Sequence, residues 1–126
     1  MSTALTFVES PPGLAPLVDF DLDVVDGAPG LYTLRAETGL RLFLVDAPVY
    51  VPWYEPDLDA ESLAMVGAAA GGETADVMVV ATISDGAPIV NLMAPVLVNR
   101  RTGAAAQVIL GDEWPLRAQL QRPGAA

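Results

Sequence analysis

The sequence contains no histidine, no cysteine and no lysine among its 126 residues. Without histidine it lacks the commonest general base and the commonest metal ligand. Without lysine there is no Schiff-base former, and without cysteine there is neither a disulfide framework nor a thiolate metal site. A glycine-rich phosphate loop and a nucleophile-elbow serine are missing as well. We therefore expect a protein that is not an enzyme and that holds no metal and no cofactor.

Positive charge is scarce. Six arginines face 16 acidic residues, for a net charge of −10. Residues 1–85 hold 14 acidic residues and two arginines, whereas residues 86–126 hold two acidic residues and four arginines. Such a surface repels phosphate backbones and attracts basic proteins, so we expect no direct nucleic-acid binding. The alternative is that the acidity serves solubility alone.

Long hydrophobic runs are also missing. The strongest apolar run, residues 77–83, is far too short to span a bilayer. Residues 1–5 lack the basic and continuous apolar regions of a signal peptide. The length fits one domain. We expect a single cytoplasmic domain over residues 1–126 that does not bind membranes, is frayed at residues 1–13 and 121–126, and is a monomer when free.

Short strands dominate the pattern that is present. Residues 17–25 alternate between an apolar side and an acidic side, which is typical of a half-buried strand. The apolar side holds Val18, Phe20, Leu22 and Val24, and the acidic side holds Asp19, Asp21 and Asp23. Further strands are predicted over residues 31–36, 40–45, 76–84, 91–98 and 104–110, with residues 49–53 also extended. The 40–45 strand is apolar enough to be covered on both faces or to lie inside a barrel wall.

These strands predict a mostly β protein, a small antiparallel β-barrel-like single domain, with a sandwich as the alternative. One short helix is expected over residues 60–66, capped by Asp59 and ended by Gly67. Pro95 cannot donate to a ladder, so its strand should lie at an edge or carry a bulge. A hairpin joins the last two strands, with Arg100 and Arg101 at a solvated tip. Its core positions are expected to be Val96, Val98, Val108 and Leu110.

An aromatic and acidic segment precedes the predicted helix. Its acidic residues are spaced by two, so an extended chain would place them on one face. The segment predicts a partner-binding surface that consists of Tyr54, Glu55, Asp57, Asp59 and Glu61. Aromatic anchors beside charges suit a protein interface. The alternative is a solvated loop that leads into the helix cap, with the aromatic side chains in the core.

Two motifs near the C-terminus resemble the FliW family. Residues 91–99 read Asn-Leu-Met-Ala-Pro-Val-Leu-Val-Asn, and residues 107–110 read Gln-Val-Ile-Leu. The family positions are Asn91, Leu92, Ala94, Pro95, Asn99 and Gln107. Residues 42–48 and 54–55 are similar to the family's strand, Asp-Pro turn and Tyr-Glu segment. The sequence departs from the family in its short N-terminal region and in the alanines at residues 104–106, where a basic pair is usual.

The resemblance implies a compact antiparallel β-barrel-like fold and a non-enzymatic role in flagellum assembly. It also implies two partners, flagellin and the basic RNA-binding repressor CsrA. Sequestration of CsrA would relieve repression of flagellin synthesis. The alternative function is a small-ligand carrier or an enzyme that uses a β-barrel pocket. A deep cavity lined by converging polar groups would favour that alternative.

Overall fold

Short strands joined by tight turns make up most of the chain. The computed structural model describes residues 2–8, 17–51, 54, 60–67, 75–84, 87–110, 114 and 118–119. Within these residues there are nine strands and two short helices. In chain order they are β1 Ser2–Phe7, β2 Asp19–Val24, β3 Leu31–Ala36, β4 Arg41–Asp46, α1 Ala47–Tyr50, α2 Ala60–Met65, β5 Asp76–Ser84, β6 Ala87–Val90, β7 Val96–Asn99, β8 Ala104–Gln107 and β9 Ala118–Gln119.

Seven of the strands close into a barrel. Their order is β4-β3-β2-β1-β8-β7-β5, and β5 pairs back onto β4. The pairs are antiparallel except for β1 and β8, which run parallel with Thr6 opposite Ala104. Strands β6 and β9 lie outside this ring, because β6 pairs with the end of β5 and β9 pairs with β6. The predicted mostly β, barrel-like fold is confirmed.

Apolar side chains from alternating strand positions fill the barrel. Phe20 and Leu22 point inward, while Asp19 and Asp21 are exposed, so the alternation predicted for this strand is confirmed. Val24, at the end of β2, is 54% exposed because the strand has by then reached the end of the barrel. The interior includes Leu5, Phe7, Phe20, Leu22, Tyr32, Leu34, Leu44, Met78, Val96, Val98 and Ala105. A ring of seven strands is narrow enough for side chains to fill it.

Strand β7 is buried on both faces. Val96 and Val98 point into the barrel, whereas Leu97 packs outside it against Val66 and Ala106, next to α2. A second outer cluster lies over β4 and β5, and its buried members are Val45, Ala47, Val51, Tyr54, Val79, Val90 and Leu92. The barrel wall therefore has a packed inner face and two covered outer regions, which explains the continuous apolar sequence of β7.

Helix α1 was not predicted. Residues 49–53 were expected to be extended, but residues 49 and 50 belong to this helix, in which the backbone N–H of Val51 donates to the carbonyl of Ala47 over 2.8 Å and closes a helical turn. Pro48 lies in the first turn, where no backbone N–H is needed and where the fixed φ of proline suits a helix. The prediction of a single helix was therefore wrong. The predicted helix over residues 60–66 corresponds to α2, and Gly67 follows it with φ of +75°.

Two further expectations need correction. The fraying expected for residues 1–13 is wrong for Ser2–Phe7, because β1 is a barrel strand with Leu5 and Phe7 buried. The prediction that Val108 lies in the barrel core is also wrong, because its side chain points to the outer face of the barrel wall. The register of the β7–β8 hairpin places Ala105 opposite Val98, so Val108 is half-buried against the outer cluster beside α2. Val96 and Val98 are in the core as predicted.

Candidate functional site

The outer face of β2 carries a row of carboxylates. Asp19 and Asp21 are exposed, and Asp23 is half-buried. Asp19 accepts a hydrogen bond from the Thr6 hydroxyl over 3.1 Å, and Asp23 forms an ion pair of 2.7 Å with Arg35. Because β2 is paired on both sides, the backbone positions from which these three side chains project are fixed. We call this row the β2 acidic face.

The predicted partner-binding segment is only partly described by the structure. Tyr54 is 6% exposed, and its hydroxyl donates to the carbonyl of Leu92 over 2.6 Å. Its ring packs edge to face against the Trp114 ring, with the two ring centroids 4.7 Å apart. Burial raises the pKa of Tyr54 to about 12. The side chain of Tyr54 therefore lies in the outer core, as the alternative interpretation expected, and is not an exposed anchor.

Only one acidic residue of that segment, Glu61, lies within the described residues. Glu61 lies in the first turn of α2 and is exposed. Glu55, Asp57 and Asp59 lie outside the described residues. A partner-binding role for these four carboxylates stays a prediction.

The family motif begins with a wide bulge between β6 and β7. The Asn91 side-chain oxygen accepts the backbone N–H groups of Met93 and Ala94 over 3.0 and 3.2 Å. This local turn allows residues 91–95 to oppose only two residues of β5. Pro95 lies at the end of the bulge, where the ladder needs no donor, so the expectation of a bulge is confirmed. Leu92 is fully buried and its carbonyl accepts the Tyr54 hydroxyl.

The neighbouring strand fastens this bulge. The Gln107 side-chain amide donates to the carbonyl of Ala94 over 3.1 Å. The backbone N–H of Val108 donates to the carbonyl of Pro95 over 2.9 Å. These bonds satisfy backbone acceptors that the bulge removes from the regular ladder, as buried carbonyls require. Gln107 therefore has a structural role.

Asn99 ties the β7–β8 hairpin to α2. It is 2% exposed, its amide nitrogen donates to the carbonyl of Val66 over 2.8 Å, and its oxygen accepts the N–H of Arg101 over 3.0 Å. The Val66 carbonyl belongs to the end of α2, where helix carbonyls need outside partners. The contacts of these motif residues are structural, and they account for the motif without a bound ligand.

The sequence did not reveal a charged cluster at one end of the barrel. The Tyr32 hydroxyl donates to Asp46 over 3.1 Å and accepts from Arg100 over 2.9 Å, and Arg100 also forms an ion pair with Asp76. The Arg100 guanidinium lies 5.1 Å from the centre of the Tyr32 ring. Burial raises the pKa of both Asp46 and Tyr32. Arg100 was expected at a solvated tip, and no local pattern indicates these distant partners.

The alternative of a small-ligand carrier or an enzyme depends on the presence of a deep cavity. Side chains fill the barrel interior, so the deep polar cavity that would favour a carrier or an enzyme is not found among the described residues. Within the same ranges, no three acidic residues are grouped in a way that would bind a metal ion. No helix formed by the described residues is long and apolar enough to cross a membrane.

Comparisons with known proteins agree with the fold and the motif. The family model named FliW protein matches residues 1–120. A crystal structure of the flagellar assembly factor FliW superposes with a TM-score of 0.81 and 24% sequence identity, covering 92% of this chain and 84% of that chain. A search of curated proteins found no match. Since the family match spans almost the whole sequence, the chain belongs to the FliW protein family.

Proposed function

We propose that this flagellar assembly factor is a non-enzymatic, protein-binding regulator that works in the cytoplasm. It binds flagellin, and it antagonises a basic RNA-binding repressor of the CsrA type, so that repression of flagellin synthesis is relieved. The family relationship supports the link to the flagellum. The chemistry of the surface supports a basic protein partner.

The β2 acidic face is the observation that supports binding of a basic RNA-binding repressor. Successive carboxylates on one face of a strand are roughly 7 Å apart, which is shorter than the screening length of about 8–10 Å near physiological salt. Asp19 and Asp21 therefore act on an approaching protein as one negative patch, whereas the charge of Asp23 is offset by its ion pair with Arg35. In a chain of net charge −10 this patch raises the association rate of a basic partner.

Paired variants test this patch. Asp19→Asn combined with Asp21→Asn removes two charges from the β2 acidic face and leaves the Asp23–Arg35 ion pair in place. Asp26→Asn combined with Glu37→Gln removes two charges from exposed turns elsewhere. Stopped-flow association with a purified CsrA-type protein should slow for the first pair more than for the second, with a shallower salt dependence. Equal rates and equal salt slopes for both pairs would remove the face from the interface.

The acidic residues that precede α2 in the sequence are a second candidate site for the same partner. Glu55→Gln, Asp57→Asn and Asp59→Asn should together slow association more than they speed dissociation, because rim charges act mainly on association. Loss of the predicted cap at Asp59 costs about 1 kcal/mol, so the melting curve is measured beside the kinetics. A stable triple variant with unchanged association and salt dependence would show that this segment is not used.

Binding to flagellin rests on the family relationship and not on any single contact in the structure. Titration calorimetry with flagellin from the same organism is the direct test, and binding at micromolar concentration is the expected result. No heat of binding and no complex on a sizing column at that concentration would contradict the proposal.

A further inference from the structure

An aspartate followed directly by a glycine lies in the turn between β2 and β3. Asp26 and Gly27 are both exposed there. The backbone N–H of Ala28 donates to the carbonyl of Val25 over 3.2 Å and closes the turn around them. The dipeptide therefore occupies the tip of a formed turn, where the chain meets solvent.

The two neighbouring groups of this dipeptide are not engaged elsewhere. The Asp26 carboxylate forms no hydrogen bond and no ion pair within the part of the chain that the structure describes, and the backbone N–H of Gly27 has no acceptor there. A Cβ built on Gly27 would meet no atom within 4 Å, so the space around the amide is open. Asp23, only three positions earlier, is instead held by its ion pair with Arg35.

We propose that Asp26 is a site of spontaneous covalent modification, at which the aspartate isomerises to isoaspartate. The Gly27 nitrogen attacks the side-chain carbonyl carbon of Asp26 in its carboxylic acid form. A C–N bond forms, the amide proton and the hydroxyl of the acid leave as water, and a cyclic succinimide results. Water then adds to one of the two imide carbonyls. Opening at the side-chain carbonyl restores aspartate, whereas opening at the main-chain carbonyl leaves the backbone running through the side chain.

Glycine and the turn together permit this ring closure. Glycine has no Cβ to shield its nitrogen, and it adopts backbone angles that other residues avoid. Asp19 and Asp21 are also exposed, but they lie in β2, where pairing on both sides fixes the backbone that follows each of them. Exposed turn tips with small residues are also where chains best tolerate a change in the backbone.

The product differs from the native chain in shape and not in charge. Isoaspartate adds one carbon atom to the backbone, so the turn becomes longer. The same turn contacts α1, because the Tyr50 hydroxyl donates to the carbonyl of Pro29 over 3.2 Å. The isoaspartyl carboxylate is the group that protein isoaspartyl methyltransferases methylate, so the aged chain becomes a substrate for that class of repair enzyme. The inference does not depend on binding of flagellin or CsrA.

Peptide mapping of the intact protein, after prolonged incubation at growth temperature in neutral buffer, tests the proposal. Trypsin cleaves after arginine and places the dipeptide in the peptide 1–35. The second Asp-Gly dipeptide of the sequence, residues 85–86, lies outside the described residues and falls in a separate peptide, 42–100. We expect the peptide 1–35 to accumulate a second species of unchanged mass that an aspartate-specific protease does not cleave at Asp26.

Three variants serve as controls. Asp26→Glu keeps the charge but requires a larger ring, so the second species should not accumulate. Asp26→Asn should form the same imide faster by losing ammonia, and the charge-control variant that contains this change is therefore used freshly purified. Val24→Gly, at an exposed site, places a second Asp-Gly dipeptide in paired β2 next to the ion-paired Asp23. Fragment ions should locate isoaspartate at Asp26 and not at Asp23.

Three results would overturn the proposal. The first is absence of the second species from the native protein. The second is its accumulation at the native rate in Asp26→Glu. The third is equal isomerisation at Asp23 and Asp26 in Val24→Gly, since the turn would then have no part in the reaction.

Discussion

Replacing Tyr54 with phenylalanine removes one oxygen atom and keeps the ring that packs against Trp114. In the native protein that oxygen donates a hydrogen bond of 2.6 Å to the carbonyl of Leu92, and both residues are buried. The variant leaves the carbonyl without this donor in a place that water does not reach. Tyr50→Phe is the matched control, because its hydroxyl donates to the carbonyl of Pro29 at an exposed site.

The two changes should differ in size although they are chemically identical. Loss of the partner of a buried polar group costs about 1–3 kcal/mol in the free energy of unfolding. At the exposed site water replaces the lost partner, and a change within about 0.5 kcal/mol is expected. Since neither variant alters the surface exposed on unfolding, the dependence of the unfolding free energy on urea should stay constant while the midpoint for Tyr54→Phe falls.

Urea unfolding followed by tryptophan fluorescence measures both variants at pH 7. The reasoning is refuted if the two variants lose the same free energy of unfolding, or if Tyr54→Phe loses none. A changed urea slope would mean that the variant alters the compactness of one state, and circular dichroism of the folded form would then identify which.

The same hydroxyl predicts how stability depends on alkaline pH. Its pKa is about 12 in the folded protein against 10.0 for an ordinary tyrosine, because burial disfavours the phenolate. The unfolded chain therefore releases this proton first. Stability from the neutral hydroxyl is fully present below about pH 10 and is lost as the pH rises towards 12. Tyr54→Phe should flatten that decline in urea unfolding measured across the range, although the raised pKa of Tyr32 leaves part of it.

Further substitutions test packing and backbone conformation. Val98→Ala, at a fully buried site, should cost roughly 1–3 kcal/mol by forming a cavity, whereas Val24→Ala at an exposed site should change the melting temperature little. Gly103→Ala should cost more than Gly39→Ala in urea unfolding. Both glycines have positive φ, but a Cβ on Gly103 would lie 2.6 Å from the carbonyl oxygen of Ala4, whereas Gly39 has open space. An unchanged melting temperature for Val98→Ala, or equal costs for the two glycine changes, would contradict the described register.

Sequence patterns predicted those elements whose cause is local. The alternation over residues 17–25 located β2, and predicted strand bounds agree with β3 and β5. Alternation with a period of two indicates which face of a strand is buried, and glycine indicates where the chain turns. Both signals depend on residues adjacent in the chain.

Features that depend on distant partners were not predictable in this way. Strand β1 pairs with the next strand, β2, on one side, but its partner on the other side is β8, far along the chain, so a short segment near the start did not stand out as a barrel strand. Burial of Tyr54 depends on the carbonyl of Leu92, and the role of Arg100 depends on Tyr32 and Asp76. Exposure of Phe43 follows from where β5 diverges from β4. The strand pattern and the FliW motif both indicated a barrel-like fold beforehand, but neither predicted the order of the strands.

The parallel pair of β1 and β8 has a kinetic consequence for a chain emerging from the ribosome. The barrel cannot close until residues 104–107 are available to pair with β1 and β7. Until then β1 offers an unpaired edge, and such edges are templates for aggregation. Proteins dominated by pairings of this range fold on the scale of milliseconds to seconds. We therefore expect a short interval, before β8 has paired, in which the chain is vulnerable to association with other copies through that edge.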